Sequence, residues 1–202
     1  MRRSKEDTLK TREAILRTAL DCFSTRGYAL TTFAQIAERI NVSKGAVFWH
    51  FKTKEQLLAE IIAQMHAQYV PLQGIEAATT LEEVKERFME WGTIVAKDRK
   101  QRRFLQFISS RIEWSEALRK RLRKYLGKLM VRDPFQDVEV CIERLKASGE
   151  VCSPLSSQAI SMLFGLTFFG IHREAFLKEA KIDVLETLSY GLDFIIQGIR
   201  SK

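Results

Sequence analysis

The stretch that decides the fold runs from Thr31 to Lys54 and reads TTFAQIAERINVSKGAVFWHFKTK. Its apolar residues recur every three or four positions, which is the period of an amphipathic helix. Thr32 and Ser43 carry hydroxyl groups in position to cap two short helices, and Asn41-Val42-Ser43 predicts a tight turn between them. Two short helices joined by such a turn form a helix-turn-helix.

The second helix of this motif has two unlike faces. Val47 and Phe51 lie four residues apart and are expected to face inwards with Ile36. The remaining positions then face outwards, namely Lys44, Gly45, Ala46, Phe48, Trp49 and His50. An outward cluster of aromatic residues beside a lysine is unusual for a solvated face, and it is explained if this helix lies in the major groove of DNA.

Each candidate contact has a physical reason. The amides after Ser43 suit a phosphate, Gly45 lets the backbone approach DNA closely, and Lys44 and Ala46 match a guanine edge and a thymine methyl. Lys52 or Lys54, considered alone, would be interpreted as a solvated lysine. The segment as a whole favours DNA binding. The predicted DNA-binding residues are Thr32, Ser43, Lys44, Gly45, Ala46, Phe48, Trp49, His50, Lys52 and Lys54.

Helical periodicity continues along the rest of the 202 residues, and no alternating strand pattern competes with it. The sequence therefore predicts an all-α protein of about nine helices. We expect a three-helix DNA-binding domain over 1–53 and a larger helical domain over 54–202. The net charge of +8 includes 11 Lys or Arg against 5 Asp or Glu in residues 1–54, which favours a polyanionic partner.

The motif resembles the N-terminal domain of TetR/AcrR-type transcriptional repressors. Thr31-Thr32, Ile36-Ala37, Val42 to Gly45 and Phe48 to Lys54 carry the resemblance. Phe48 stands where the family usually has a tyrosine, so it offers van der Waals contact in place of a hydroxyl bond to a phosphate. Membership in this family implies an operator on double-stranded DNA, a hydrophobic small-molecule effector, and a homodimer. It also implies that the last two long helices, about 156–179 and 183–199, form the dimer interface.

Two further sets of residues are predicted within the larger domain. Aromatic residues at helical spacing are more often core than pocket, so polar residues beside them are the better indicators of a ligand site. The candidate pocket residues are Trp91, Phe107, Glu113, Trp114, Phe168 and His172, and the candidate dimer residues are Phe164, Phe168, Leu188, Leu192 and Ile195.

The sequence also bears on what this protein is not. Its three histidines and three cysteines are scattered, and it has no metalloprotease motif, phosphate loop or nucleophile elbow. We therefore expect no enzymatic activity, no cofactor, no metal site, no membrane partner and a cytoplasmic location. The alternative function is a nucleoid-type DNA-binding protein without an effector. The basic run 97–132 is interpreted as a solvated face, and the alternative is attraction to DNA or to an acidic ligand.

Overall fold

Helices account for nearly all the regular structure of the computed structural model, which describes residues 5–67, 72, 74–129, 134–178 and 182–200. Within these ranges there are ten α-helices, in agreement with the all-α prediction, and the one β-bridge, Val151 to Arg200, is isolated. The helices are α1 Lys5–Arg26, α2 Phe33–Arg39, α3 Lys44–His50, α4 Lys54–His66, α5 Leu81–Lys97, α6 Arg99–Ser110, α7 Glu116–Lys128, α8 Pro134–Ala147, α9 Ser157–Lys178 and α10 Val184–Ile199.

The chain forms two compact units. The first comprises residues 1–67 and 106–131, and thus holds α1 to α4, the end of α6 and α7. Its core includes Phe23, Val47 and Phe51, and α7 contributes Leu118 and Leu122 to it. These units divide the chain by packing, whereas the boundary expected after residue 53 divides it by function and stays a prediction.

The second unit comprises residues 68–105 and 132–202 and holds α5, most of α6 and α8 to α10. Helix α9 packs closely on its neighbours because glycines remove side chains at the crossings. A Cβ on Gly191 of α10 would lie 2.8 Å from Thr167 of α9, and one on Gly165 of α9 would lie 2.8 Å from Phe135 of α8. Trp91 of α5 packs into the same core, where its ring stacks on that of Phe168 at 3.8 Å.

None of the described helices is both long enough and apolar enough to cross a membrane.

Candidate nucleic-acid interface

Helix α2 begins at a capping box, in which two residues cap each other. The hydroxyl of Thr32 accepts a hydrogen bond from the amide of Gln35 at 3.3 Å, and the amide of Thr32 donates to Oε1 of Gln35 at 3.0 Å. The Thr32 hydroxyl is exposed, and its proton can still be donated to an outside acceptor. Thr32 therefore fixes the start of α2 and remains compatible with a phosphate contact.

The turn between α2 and α3 depends on a left-handed residue. Asn41 has a φ of 54°, a conformation that asparagine tolerates better than most side chains. The amide of Val42 donates back to the carbonyl of Ala37 at 3.0 Å, which closes the turn. Ser43 then caps α3 by accepting from the amide of Ala46 at 3.1 Å. This local chemistry fixes the direction of α3.

Helix α3 divides into an inner and an outer face as its spacing predicts. Val47 and Phe51 are completely buried together with Ile36. Phe48 is 50% exposed and Trp49 is 65% exposed. Lys44 and Gly45 are also exposed, whereas Ala46 and His50 are half-buried. Large exposed aromatic side chains on one short helix indicate a surface that binds a partner.

Gly45 has no structural reason for being glycine within the chain. Among the described residues, a Cβ at this position would approach only the Ser43 hydroxyl, at 3.7 Å, which is an ordinary contact. Its backbone conformation is helical, where alanine is favoured by about 0.5–1 kcal/mol. The missing side chain therefore leaves open space on the outer face of α3, which suits close approach of another molecule.

The exposed aromatic residues of α3 make contacts with neighbouring polar side chains. The ammonium of Lys52 lies 5.0 Å from the centroid of the Phe48 ring, and the Trp49 ring meets the His50 ring edge-to-face at 4.7 Å. The backbone amide of Lys52 donates to Oε1 of Gln56 at 2.9 Å. Lys52 and the aromatic face of α3 therefore form one continuous exposed surface.

Lys54 occupies a different environment from the one predicted. Its ammonium donates to the carbonyls of Tyr28, Ala29 and Thr31 at 2.9, 3.0 and 3.0 Å, and it lies 4.7 Å from the centroid of the Tyr28 ring. These three bonds use all the donors of an ammonium group. Burial lowers the pKa of Lys54. In this conformation Lys54 holds the loop between α1 and α2, and its phosphate contact remains a prediction.

Helix α7 adjoins the helix-turn-helix in the first unit, although the sequence does not predict this contact. The hydroxyl of Thr53 donates to the Tyr125 hydroxyl at 3.2 Å, and the guanidinium of Arg121 lies 3.3 Å from the Glu55 carboxylate. Thr53 is the N-cap of α4 and follows α3 by three residues. The sequence gives no signal for these two contacts, because about seventy residues separate the partners.

The predicted pocket residues are divided between the two compact units. Glu113 and Trp114 are exposed and belong to the first unit. Phe107 belongs to the first unit, where its ring stacks on Phe23 at 5.6 Å. Trp91, Phe168 and His172 do cluster in the second unit, but their rings lie against one another and fill the core.

A cavity in the second unit lies between α8 and α9 instead. It has a volume of about 360 Å³, within the range of small-molecule sites. Its lining includes the aromatic residues Phe135 and Phe169 and the acidic residue Glu139. The lining also includes Ser161, Met162 and Leu166. The sequence did not indicate this cavity because it depends on how α8 and α9 meet.

Four of the five residues predicted for the dimer interface lie in the core of a single chain instead. Phe164, Phe168, Leu188 and Leu192 are fully buried within one chain, so no partner can reach them, and Ile195 is half-buried. Other apolar side chains of the same two helices are exposed. They are Met162 at 59%, Leu166 at 61%, Tyr190 at 60% and Phe194 at 75%, with Leu163 at 39%.

The sequence is similar to a known protein family and to known proteins. Residues 15–61 match the model of the family described as "Bacterial regulatory proteins, tetR family". HTH-type transcriptional regulator TtgR of Pseudomonas putida is 41% identical over 66 residues, which are 33% of this chain and 31% of TtgR. The "Probable acrEF/envCD operon repressor" of Escherichia coli K12 is 23% identical over 205 residues, which cover 97% of this chain and 90% of that protein.

The fold is similar to those of solved structures. SmeT, the repressor of the Stenotrophomonas maltophilia multidrug efflux pump SmeDEF, has been solved in complex with triclosan. That complex matches this chain with a TM-score of 0.76 at 23% identity, covering 96% of this chain and 93% of SmeT. At this identity the comparison shows a shared fold.

Proposed function

We propose that this chain, a member of the TetR/AcrR family by its helix-turn-helix segment, represses transcription from a palindromic operator until a hydrophobic small molecule releases it. The observation that carries the proposal is the outer face of α3, where Phe48 and Trp49 are exposed beside a glycine that the chain itself does not require. A regulator acts where the DNA is, so a cytoplasmic location is part of the proposal.

The outer face of α3 supplies the DNA contacts in this proposal. Lys44 reaches a guanine edge or a phosphate, Ala46 a thymine methyl, and Gly45 lets the helix backbone enter the groove. Thr32, Ser43 and Lys52 anchor phosphates on either side, while Phe48, Trp49 and His50 pack against the sugar-phosphate edge. This assignment keeps every predicted contact except that of Lys54, whose ammonium is engaged within the chain.

The effector site we propose is the cavity between α8 and α9. Phe135 and Phe169 offer aromatic surface, and Glu139 can pair with a positive charge. Hydrophobic compounds that carry one positive charge therefore fit it best. SmeT, whose fold this chain shares, forms a complex with triclosan, which supports a small-molecule effector for this chain.

The proposed homodimer uses the exposed apolar side chains of α9 and α10. Gly191 packs against Thr167 and Ile171, so the two helices meet closely at that point. Helical spacing places Leu163 and Leu166 on one side of Thr167, and Tyr190 and Phe194 on the matching side of Gly191. A dimer places two recognition helices to read half-sites one helical turn apart, about 34–36 Å.

Operator binding tests the proposal directly. The chain is titrated against a duplex of about 60 base pairs from the region upstream of its own coding sequence, long enough for paired half-sites, and against a shuffled duplex of equal length. Specific binding should exceed non-specific binding by about 1,000-fold or more, and a library of hydrophobic cations should contain compounds that release it. Equal affinity for both duplexes would favour the nucleoid-type alternative.

A further inference from the structure

The exposed side of α7 carries an excess of positive charge, most of which is not paired with an acidic group among the described residues. The helix has six Lys or Arg residues against one Glu in the sequence EALRKRLRKYLGK. Within the described part of the chain, Arg121 is paired with Glu55, and the guanidinium of Arg119 donates to the carbonyl of Trp114. The others are exposed and form no ion pair among the described residues, namely Lys120, Arg123, Lys124 and Lys128.

The three lysines among these residues repel one another. Lys120, Lys124 and Lys128 are spaced four residues apart, so their ammonium groups are neighbours on one side of the helix. Like charges at this spacing destabilise a helix, and only Lys120 has an acidic residue, Glu116, four positions before it. An external polyanion would remove this repulsion.

Contacts of α7 show which side of the helix adjoins the recognition motif. Arg121 pairs with Glu55 in the first turn of α4, and Tyr125 accepts a hydrogen bond from Thr53, the residue that caps it. Lys124 lies three residues after Arg121, and Lys128 lies three residues after Tyr125, so both share this edge of α7. Thr53 in turn follows directly on Lys52, whose ammonium covers the exposed ring of Phe48.

We infer that Lys124 and Lys128 form a second DNA-binding element, which contacts the phosphate backbone of the duplex that α3 reads. The inference rests on the proposed function and extends it beyond the helix-turn-helix. Double-stranded DNA is the partner because Lys124 and Lys128 offer positive charge, which suits the phosphates of any sequence. Their edge of α7 also continues the surface of Lys52 and α3 within one compact unit. Such contacts position a protein on DNA and raise its affinity for all sequences alike.

The salt dependence of binding distinguishes this role from a solvated face. The double variant Lys124→Gln/Lys128→Gln is compared with Arg119→Gln/Arg123→Gln, which removes the same charge from the same helix. Arg119 and Arg123 lie two positions before Arg121 and Tyr125. Because residues two apart do not share a helix face, these two arginines point away from the edge that adjoins the motif. Both variants are titrated with the upstream duplex and with the shuffled duplex over a range of salt concentrations, after their melting temperatures confirm folding.

Removal of two phosphate contacts lowers the slope of log K against log salt by about 1.8, since each contact contributes about 0.9. We expect this loss for Lys124→Gln/Lys128→Gln on both duplexes, and a much smaller change for the control. Equal slopes for the two variants would overturn the inference. A wild-type chain that does not distinguish the two duplexes would overturn the proposed function, whereas the difference between the variants would still be measurable.

Discussion

At the scale of single residues, Gly45 gives the sharpest separation between stability and function. Alanine fits its helical backbone and meets only the Ser43 hydroxyl, so Gly45→Ala should stabilise the fold by about 0.5–1 kcal/mol. The same methyl group would hold α3 away from DNA and should weaken operator binding by about 1–3 kcal/mol, the scale of one base contact. Thermal melting and fluorescence anisotropy measure the two effects.

Gly198→Ala is the matched control, because among the described residues a Cβ at Gly198 meets nothing within 4 Å, so alanine fits there as it does at Gly45. This change should raise the melting temperature and leave DNA binding unchanged. If Gly45→Ala binds the operator as tightly as the wild type does, the docking of α3 in the groove is wrong.

Lys54 is a second residue whose role can be tested. Lys54→Met should destabilise the first unit by about 1–3 kcal/mol, because three carbonyl groups lose their donor. Lys52→Met, on an exposed side chain, should cost much less. Urea denaturation measures both. Should Lys54→Met keep full stability and instead reduce the salt slope of DNA binding by about one, Lys54 would be a phosphate anchor after all.

His172 predicts a dependence of stability on pH. Burial lowers its pKa from the ordinary 6.5, and a hydrogen bond to the Phe168 carbonyl opposes this only in part. Above pH 6.5 both folded and unfolded chains are neutral at this residue, and as the pH falls below that value the unfolded chain takes up the proton first. Stability is therefore lost on acidification. His172→Phe should therefore lose less stability than the wild type as the pH falls below 6.5, as measured by urea denaturation.

A decline as steep in His172→Phe as in the wild type would assign the acid sensitivity to other groups.

At the scale of helices, the sequence predicts some faces well and others poorly. The inner positions of α3 are evident because Val47 and Phe51 stand among polar and small residues. Helix α9 is apolar on nearly every side, so its pattern could not separate the buried Phe164 and Phe168 from the exposed Leu166. The dimer residues were misassigned for this reason, whereas the choice of helices remains open to test.

The exposed faces of α9 and α10 lead to a prediction about assembly. Leu166→Glu and Phe194→Glu introduce charges at positions that are 61% and 75% exposed in the single chain, so each variant should fold as a monomer. Phe168→Glu buries an unpaired charge in the core and should prevent folding. Sedimentation velocity and circular dichroism distinguish these outcomes.

Leu9→Glu is the matched control, on an α1 side chain that is 61% exposed outside the proposed interface. It should leave the dimer intact. Dimers of unchanged stability in both Leu166→Glu and Phe194→Glu would remove this surface from the interface.

At the scale of the whole molecule, the sequence predicts chemistry more reliably than long-range contact. Capping residues and the αL-prone Asn41 act within a few positions, so the helix-turn-helix follows from local rules. The three acceptors of Lys54 lie 23 to 26 residues away, and the partners of α7 about seventy. Such contacts, and the cavity between α8 and α9, arise only when separate helices pack.

Release of DNA by an effector makes a quantitative prediction for the intact chain. The effector lowers operator affinity only if it binds better to a conformation that holds DNA poorly. A coupling of about 1–3 kcal/mol would lower that affinity about 5–150-fold, and by thermodynamic linkage saturating operator must weaken effector binding by the same factor. Isothermal titration of a hydrophobic cation, with and without the upstream duplex, measures the second factor, and anisotropy measures the first. Glu139→Gln should weaken binding of the cation and leave operator affinity without effector unchanged, because Glu139 lines the cavity and is not among the predicted DNA contacts. Two factors that differ, or an effector that binds equally well in the presence of operator, would show that the two sites act independently.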